Sequence, residues 1–388
     1  MERKEIAARV GRNVILLGII SFLNDASSEI IRPILPLLIV ALGGNEVVLG
    51  LISGLMESTS SLLKVFSGYI SDRVGKRKPI VFSGYLTSAV FKLLLSVSTV
   101  WYHIMIFATF ERVGKGIRTA PRDAIISESM PERKGKGFGI HRALDTAGAV
   151  LGACMAFILT SVMGFAYTRS ILIAAILSFI SLIPFLWVRE TKKSTGRSSF
   201  FGGLKKISPS LKKFLLVAAI FAFANISYMF FMRRAQVVCR NDNMVLLLYI
   251  FFNISYALFA YPFGILSDRV GRKNVLVAGY ILFAMVFLGF MMISSQYGLV
   301  LLFLLYGLVY AIVDANQRAF VSDLSPENIR ATSLGLYHTT VGVIALPAGM
   351  IAGYLWTEFG YHFTFLYGFV MSLIAAFLLI ILFFRERK

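Results

Sequence analysis

The chain has 388 residues, of which 57% are hydrophobic and only 15% are charged, and its formal net charge is +19. A water-soluble globule of this length needs more polar surface than this composition supplies, so the sequence excludes a soluble enzyme or binding domain. Most of the chain is instead predicted to lie in a lipid bilayer.

Apolar runs of about 20 residues, the length that crosses the hydrocarbon core as a helix, follow one another along the chain. In the first half they predict transmembrane helices at 14–40, 47–70, 79–100, 104–121, 138–163 and 167–188. In the second half they predict helices at 213–238, 244–266, 275–294, 298–321, 332–356 and 361–384. The predicted fold is an all-α integral membrane protein with twelve transmembrane helices in two six-helix pseudo-repeats.

The residues between the two sets of helices predict the domain organisation. The segment 191–212 is rich in Lys, Ser and Gly, so it is predicted to be a solvated, basic, cytoplasmic linker. It would join an N-terminal six-helix bundle at 1–190 to a C-terminal six-helix bundle at 213–388.

Two polar loops with nearly the same sequence support this duplication. The first, after the second predicted helix, contains Gly68, Asp72, Arg73, Gly75 and Arg77. The second, after the eighth predicted helix, contains Gly264, Asp268, Arg269, Gly271 and Arg272. A repeat placed at the same point of each half predicts that both halves follow the same path through the membrane.

Each repeated loop is predicted to act as a cytoplasmic latch. Asp72 and Asp268 would accept N–H bonds at the start of the following helix and attract the arginines of their loops. The glycines would let the backbone turn tightly and approach a neighbouring helix. The alternative is a fixed clamp that has no switching role.

The basic residues predict the sidedness of the protein. With loops on alternate sides, about 29 Lys and Arg lie on the face that holds both termini, and about four lie on the other. This bias predicts cytoplasmic termini and a location in the cytoplasmic membrane. It also accounts for the net charge without a nucleic-acid partner.

The first predicted helix carries ionisable side chains at membrane depth. Asp25, Glu29 and Arg32 are spaced to lie on one stripe of a helix. A charge inside a bilayer costs at least about 2.5 kcal/mol, so these residues are predicted to face a cavity or a partner. Two stacked carboxylates repel each other, which predicts that one of them exchanges protons. Alternatively, Arg32 neutralises Glu29 in a permanent structural pair.

Other polar side chains at membrane depth complete the predicted cavity. The first half contributes Glu57, Arg112 and Asp145, although Arg112 could instead be a structural partner of a nearby carboxylate. The second half contributes hydrogen-bonding and aromatic groups, namely Asn225, Tyr228, Asn253 and Asp314. A cavity charged on one side and polar and aromatic on the other would orient an amphipathic solute.

The helices, the linker and the repeated loop together resemble the major facilitator superfamily over the whole chain. In that family, the loop between helices 2 and 3 carries the pattern GxxxDRxGRK, and the loop between helices 8 and 9 carries a degenerate copy. Helix 4 keeps the Arg, first Gly and Ala of the family pattern R-x-x-Q-G-x-G-x-A at Arg112, Gly116 and Ala120. The resemblance implies a role for Arg112 in proton transfer or solute binding. It also implies that the loop network favours the outward-facing state.

The fifth predicted helix resembles the exporters of the family. Gly139, Gly148 and Gly152 keep the glycine spacing of the exporter pattern, while Ala153 replaces its proline and Ala156 and Phe157 replace its closing glycines. The resemblance implies export rather than import.

Together these features predict a monomeric, proton-coupled secondary transporter that moves a small organic solute by alternating access. Its expected partners are the solute, protons and the lipid bilayer. The phosphate-loop pattern GxxxxGK[ST] is absent from the sequence, and two cysteines cannot form a CxxC metal site, so no cofactor, metal or enzymatic activity is predicted. The alternatives are uptake or facilitated passage of an anionic metabolite, and a non-transporting membrane enzyme or sensor.

Overall fold

The computed structural model describes residues 2–130, 133–190, 207–326 and 329–383, with the backbone alone at 2–10, 134 and 331. The regular structure within these ranges is helical. The helices of the first half are α1 (Glu2–Ala41), α2 (Glu46–Val74), α3 (Lys78–Leu95), α4 (Trp101–Ser129), α5 (Lys134–Phe157) and α6 (Tyr167–Ile180). A π-helical turn at Ile158–Val162 ends α5, and a 3-10 turn at Ile183–Trp187 follows α6.

The second half repeats this order of helices. They are α7a (Pro209–Ala224), α7b (Tyr228–Cys239), α8 (Asp242–Val270), α9 (Arg272–Met292), α10 (Gln296–Asp323), α11 (Arg330–Phe359) and α12 (Tyr361–Leu382). Eleven crossings in the described ranges are long and apolar enough to span a membrane, with α7a and α7b forming one of them. The twelfth is α4, whose 29 residues are long enough but carry many charges. The predicted all-α, twelve-helix fold is confirmed.

Several predicted helix ends differ from the structure, as for α6, which ends at Ile180 rather than at residue 188. Two of the others have a clear local reason. α4 continues past Pro121 to Ser129, because packing on α1 and α3 outweighs the one backbone hydrogen bond that the proline removes. α3 ends at Leu95 rather than at residue 100. There the hydroxyl of Ser96 donates to the Leu93 carbonyl at 2.6 Å and so competes with a further helical turn.

The seventh predicted helix is also different in the structure. It begins at Pro209, inside the predicted linker, because Ser208 caps it by accepting a hydrogen bond from the Leu211 N–H at 3.1 Å. It is then broken after Ala224 and restarts at Tyr228. The rest of the predicted linker, residues 191–206, lies outside the described residues.

The packing of helices confirms the internal repeat. In the first half, α1 packs on α5 and α6, and α3 packs on α4 and α6. In the second half, α7a packs on α11 and α12, and α9 packs on α10 and α12. Each pair of the first half thus recurs six helices later.

The chain forms two compact units. The first unit comprises Met1–Gly43 and Thr59–Arg197, and the second comprises Gly44–Ser58 and Ser198–Lys388. The beginning of α2 therefore packs within the second unit. There the Ser58 hydroxyl donates to the Gly342 carbonyl of α11 at 2.6 Å, and Gly50 faces the backbone of Gly349.

Close packing of α1 on α5 shapes the first unit. A Cβ atom at Gly148 would overlap the carbonyl oxygen of Phe22, and one at Gly152 would overlap that of Ala26. Only glycine lets the two backbones approach this closely. These contacts set the depth of α1 against α5 and bring the polar residues of both helices together.

Candidate functional site

Two carboxyl groups meet in the first unit, one from α1 and one from α5. The side chains of Asp25 and Asp145 lie within hydrogen-bonding distance of each other. Two carboxyl groups can share a hydrogen bond only when one of them carries a proton. Asp145 is also 3.2 Å from the guanidinium of Arg142, so one member of the pair has a cationic partner and the other faces a carboxyl group.

Cations of α4 surround this pair of carboxyl groups. Lys115 and Arg118 of this helix interact electrostatically with Asp25. Arg118 is only 2% exposed, donates to the Ser88 hydroxyl at 2.6 Å and stacks over the ring of Tyr85 at 4.4 Å. A buried guanidinium held in this way is a fixed positive charge beside the carboxyl pair.

Two other predicted site residues form local ion pairs. Glu29 and Arg32, one turn apart on α1, are 2.9 Å from each other. Arg112 is 3.3 Å from its neighbour Glu111, which is buried. These pairs match the alternative interpretation of each as a structural partner. Glu57 lies in the part of α2 that belongs to the second unit, and its side chain is exposed there.

A hydrogen-bonded cluster of Ser21, Tyr85 and His141 was not predicted from the sequence. The Ser21 hydroxyl is 2.9 Å from the Tyr85 hydroxyl and 2.8 Å from Nε2 of His141. His141 is 4% exposed, so it is a core residue rather than an interfacial one. No spacing within a single helix indicates this contact, because the three residues come from α1, α3 and α5.

The predicted site residues of the second unit lie among aromatic rings. The carboxylate of Asp314 is 2.6 Å from Arg318 and accepts a hydrogen bond from the Tyr256 hydroxyl at 3.3 Å. Asn225, at the break between α7a and α7b, accepts from the Tyr310 hydroxyl at 3.3 Å.

The other two predicted residues of this unit have different surroundings. The ring of Tyr228 is 6.1 Å from that of Tyr249. Asn253 donates to the carbonyl oxygen of Tyr249, one turn earlier on α8, at 2.9 Å. The structure therefore places both next to Tyr249, Tyr228 at its ring and Asn253 at its backbone carbonyl.

The first repeated loop forms an ion-pair network around Arg77, which is 8% exposed. Its guanidinium contacts Asp72 at 2.9 Å and also pairs with Glu128 at the end of α4. The expectation that Asp72 caps α3 is wrong, because α2 continues through it to Val74. The cap comes from Glu190, whose carboxylate accepts from the N–H groups of Arg77 and Lys78 at 2.9 and 3.0 Å.

The second repeated loop has the same arrangement, with Arg272 paired to two carboxylates. Arg272 contacts Asp268 at 3.1 Å and Asp323, at the end of α10, at 2.6 Å. Asp268 lies inside α8, and α9 has no side-chain cap, so a capping role for Asp268 is likewise wrong. Arg73 and Arg269, the other predicted partners, are exposed.

The glycines of the two loops differ in what they do. Gly75 and Gly271 adopt φ angles of 71° and 90°, the left-handed region that favours glycine, and so confirm the predicted tight turns. A Cβ atom at Gly68 would lie 3.3 Å from Ala120 of α4, which is a close helix approach. No such approach occurs at Gly264, where a Cβ atom would meet nothing within 4 Å.

Comparison with known proteins identifies the family. The family profile described as Major Facilitator Superfamily matches residues 17–238 and 240–388. An uncharacterized MFS-type transporter of Methanocaldococcus jannaschii, MJ1317, is 51% identical over 96% of this chain and 95% of its own length. Multidrug resistance protein MdtG of Enterobacter lignolyticus is 24% identical over 76% of this chain and 74% of its own.

Solved structures agree on the fold. A crystal structure of the nucleoside transporter NupG matches with a TM-score of 0.83 at 18% identity and covers 96% of this chain and 100% of that one. Family profile, relative and fold all point the same way. The chain therefore belongs to the major facilitator superfamily, and it is a multi-pass membrane transporter of a small-molecule solute rather than an enzyme.

Proposed function

We propose that the chain is a monomeric, proton-coupled exporter of a small organic solute in the cytoplasmic membrane, with both termini in the cytoplasm. The observation that carries this proposal is the contact between the carboxyl groups of Asp25 and Asp145. A proton bound between them neutralises one negative charge, and its loss restores repulsion across the seam between α1 and α5. Proton binding would therefore change the relative stability of two arrangements of these helices.

The surrounding charges fit this role. Lys115 and Arg118 interact with Asp25 from α4, and Arg142 contacts Asp145 from within α5. With the proton absent, these cations offset the extra negative charge, so the pair can lose it without leaving two isolated carboxylates at membrane depth. A carboxyl pair with fixed cations close by can exchange a proton in each transport cycle.

The coupling site is tested in proteoliposomes after a thermal-shift screen of drugs, siderophores, sugars and organic acids has identified a solute that binds. In the unaltered protein, an imposed proton gradient should drive solute accumulation. Asp25→Asn should reduce accumulation to the level seen without a gradient while solute binding persists. Glu358→Gln, an exposed carboxyl at the end of α11, is the matched control and should keep full coupling. Unchanged accumulation with unchanged pH dependence in both Asp25→Asn and Asp145→Asn would contradict the proposal.

Export is favoured over import by two observations. The α1–α5 contact at Gly148 and Gly152 lies where the exporter pattern has its glycines. The relative MdtG is named a multidrug resistance protein. Direction is measured with inside-out and right-side-out vesicles, in which a gradient of opposite sign should be needed for accumulation.

The repeated loops are proposed to form a cytoplasmic latch that favours the outward-facing state. Arg77 contacts acidic groups of α2 and α4 at once, so its release would free the cytoplasmic ends of both helices. Asp72→Asn should therefore increase labelling of single cysteines placed on the cytoplasmic side of the cavity. Lys76→Gln, an exposed charge in the same loop, is the control. Equal labelling of the two variants would leave the loop as a fixed clamp.

A second candidate function is passage of an anionic metabolite. Lys64 and Lys115 interact with each other, and neither has a carboxylate within ion-pair distance in the part of the chain that the structure describes. Free positive charge at membrane depth suits an anion that binds transiently. Under this candidate, organic acids stabilise the protein in the thermal-shift screen, and Lys115→Met abolishes that stabilisation while neutral compounds bind as before.

A further inference from the structure

Lys92 is fully buried, with 0% of its surface exposed, and its ammonium lies between α1, α3 and α6. Five oxygen atoms surround Nζ. Ser28 Oγ is at 2.9 Å, Ser27 Oγ at 3.0 Å, Asn24 Oδ1 at 3.3 Å, the Asn24 carbonyl at 3.4 Å and Ser178 Oγ at 3.5 Å. A lysine at this depth is therefore held by neutral oxygens.

Two of the three hydroxyl groups of this cage direct their hydrogens away from the ammonium. Ser27 donates its hydrogen to the Ala174 carbonyl at 2.6 Å, and Ser178 donates to Asn24 Oδ1 at 3.2 Å. Both hydroxyls thus present lone pairs to Nζ. Asn24 turns its amide oxygen toward Nζ, although its Nδ2 then has no partner among the described residues. The cage is oriented as a set of acceptors, which suits a cation.

The positive charge of Lys92 is not neutralised by an ion pair with a carboxylate in the described ranges. Glu111 and Asp25 act on Lys92 electrostatically, as do Arg118 and Arg112, but within the described ranges no carboxylate oxygen is within ion-pair distance of Nζ. Neutral oxygens that replace a hydration shell are how proteins bind monovalent cations. Distances of 2.9–3.5 Å suit ammonium or potassium, since Mg²⁺ and Ca²⁺ need oxygens at roughly 2.0–2.6 Å.

We propose that these five oxygens form a monovalent-cation site that the chain fills with its own lysine ammonium. Lys92 would thereby act as a positioning residue for the Asn24–Ser28 segment of α1, which carries Asp25. The cation site stands independently of the function proposed above, whereas the positioning role rests on the proposed role of Asp25.

The test empties the cage and offers it free cations. Lys92→Ala removes the side chain beyond Cβ, leaves the five oxygens in place and opens the space that Nζ and its stem occupy. The purified full-length variant is melted in chloride salts of ammonium, potassium, sodium or N-methylglucamine at equal ionic strength. We expect ammonium or potassium to raise its apparent melting temperature by about 3 °C or more, saturably, and to have no such specific effect on the unaltered protein.

Controls separate this site from general salt effects. Lys136→Ala removes an exposed lysine of α5 and should respond like the unaltered protein. The double variant Lys92→Ala with Ser27→Ala loses a cage oxygen and should lose the cation response. Lys92→Val, purified in ammonium buffer throughout, is the second route. The proposal is overturned if neither variant gains cation-specific stability, or if neither can be purified even with ammonium present.

The positioning role has its own readout. In proteoliposomes, saturating potassium should restore gradient-driven accumulation to Lys92→Ala, because a bound cation replaces the lost ammonium. Cation binding without restored accumulation would reject the positioning role alone. Unchanged coupling in Asp25→Asn would instead reject the proposed proton site and leave the cation site standing.

Discussion

The two units share a helix order but bury different chemistry. The first unit places a lysine, Lys92, and an arginine, Arg118, in its interior at 0% and 2% exposure. Among the described residues of the second unit, one charged side chain is buried, Arg234 at 3% exposure, and beside it the unit buries a neutral network in which Gln317 donates to Tyr280 at 2.7 Å and accepts from Tyr337 at 2.6 Å. The two units thus share the same pairs of packed helices but differ in the number of charged side chains that they bury.

This difference has a physical consequence. Interior ionised groups can change charge when a proton binds, and each change alters the energy of neighbouring charges strongly because little water screens them. Tyrosine and glutamine networks stay neutral at physiological pH and respond little to a proton gradient. Under the proposed function, the first unit would therefore handle protons and the second unit would shape the solute pocket.

The largest expected effect concerns the glycine seam that positions the charges of the first unit. Gly148→Val adds atoms where even a Cβ overlaps the backbone of α1, so α1 and α5 must separate. We expect a loss of about 3 kcal/mol or more and little monodisperse protein on size exclusion. Gly139→Val lies on the same helix at a position where a Cβ meets nothing within 4 Å, and it should purify normally. Equal yields of the two variants would show that the seam tolerates expansion.

The existence and order of the helices could be predicted because hydrophobic length alone determines them. Their ends could not. The break after Ala224 falls in a continuous apolar run, where Asn225 and Ser227 are the only local signal. Pro209 indicates a linker when read alone but serves as the first residue of α7a once Ser208 caps it.

The candidate site was predictable in composition but not in pairing. The spacing of Asp25 and Glu29 suggested that these two carboxylates act together, whereas Asp25 meets Asp145 and Glu29 meets Arg32. Helical spacing relates residues on one helix, and the decisive contact joins two helices. The capping role of Glu190 could not be predicted for the same reason, because the helix that it caps, α3, begins more than a hundred residues earlier in the sequence.

The second prediction compares one arginine from each unit. Arg118→Met leaves Ser88 without its charged donor and removes the stacking on Tyr85, so we expect a loss of about 2 kcal/mol. Arg318→Met removes a partly exposed pair with Asp314, one turn away, and should cost less than about 1 kcal/mol. Melting temperatures in detergent measure both. A larger loss of stability in Arg318→Met than in Arg118→Met would contradict the view that the structurally important buried charges lie in the first unit.

The third prediction addresses the neutral network of the second unit. Tyr337→Phe leaves Oε1 of Gln317 buried without its donor, across an interhelical contact between α10 and α11. Interhelical hydrogen bonds in membranes are worth roughly 0.6 to 1.7 kcal/mol, so we expect a loss in that range. Adding Gln317→Leu removes the stranded acceptor and should recover part of the loss. The dependence of transport on the proton gradient should not change in either variant, and a shift would argue against a purely structural network.

The smallest expected effect concerns the hydrogen bonds that join the start of the third helix of each unit to the residues after its sixth helix. In the first unit the Glu190 carboxylate accepts from the first N–H groups of α3. In the second unit the polarity is reversed, because Lys273 at the start of α9 donates to the Phe383 carbonyl at the end of α12, at 2.7 Å. Glu190→Ala therefore exposes helix N–H groups directly, whereas Lys273→Ala leaves those of α9 as they were.

We expect Glu190→Ala to cost about 1 kcal/mol, the usual contribution of a helix cap, and Lys273→Ala to cost less. Amide hydrogen exchange gives the sharper readout. Exchange at Arg77 and Lys78 should accelerate about fivefold in Glu190→Ala, since 1 kcal/mol corresponds to that factor, and Glu190→Gln should retain part of the protection. The first turn of α9 should exchange at its original rate in Lys273→Ala. Equal acceleration at both helix starts would mean that these hydrogen bonds act through loop position rather than through capping.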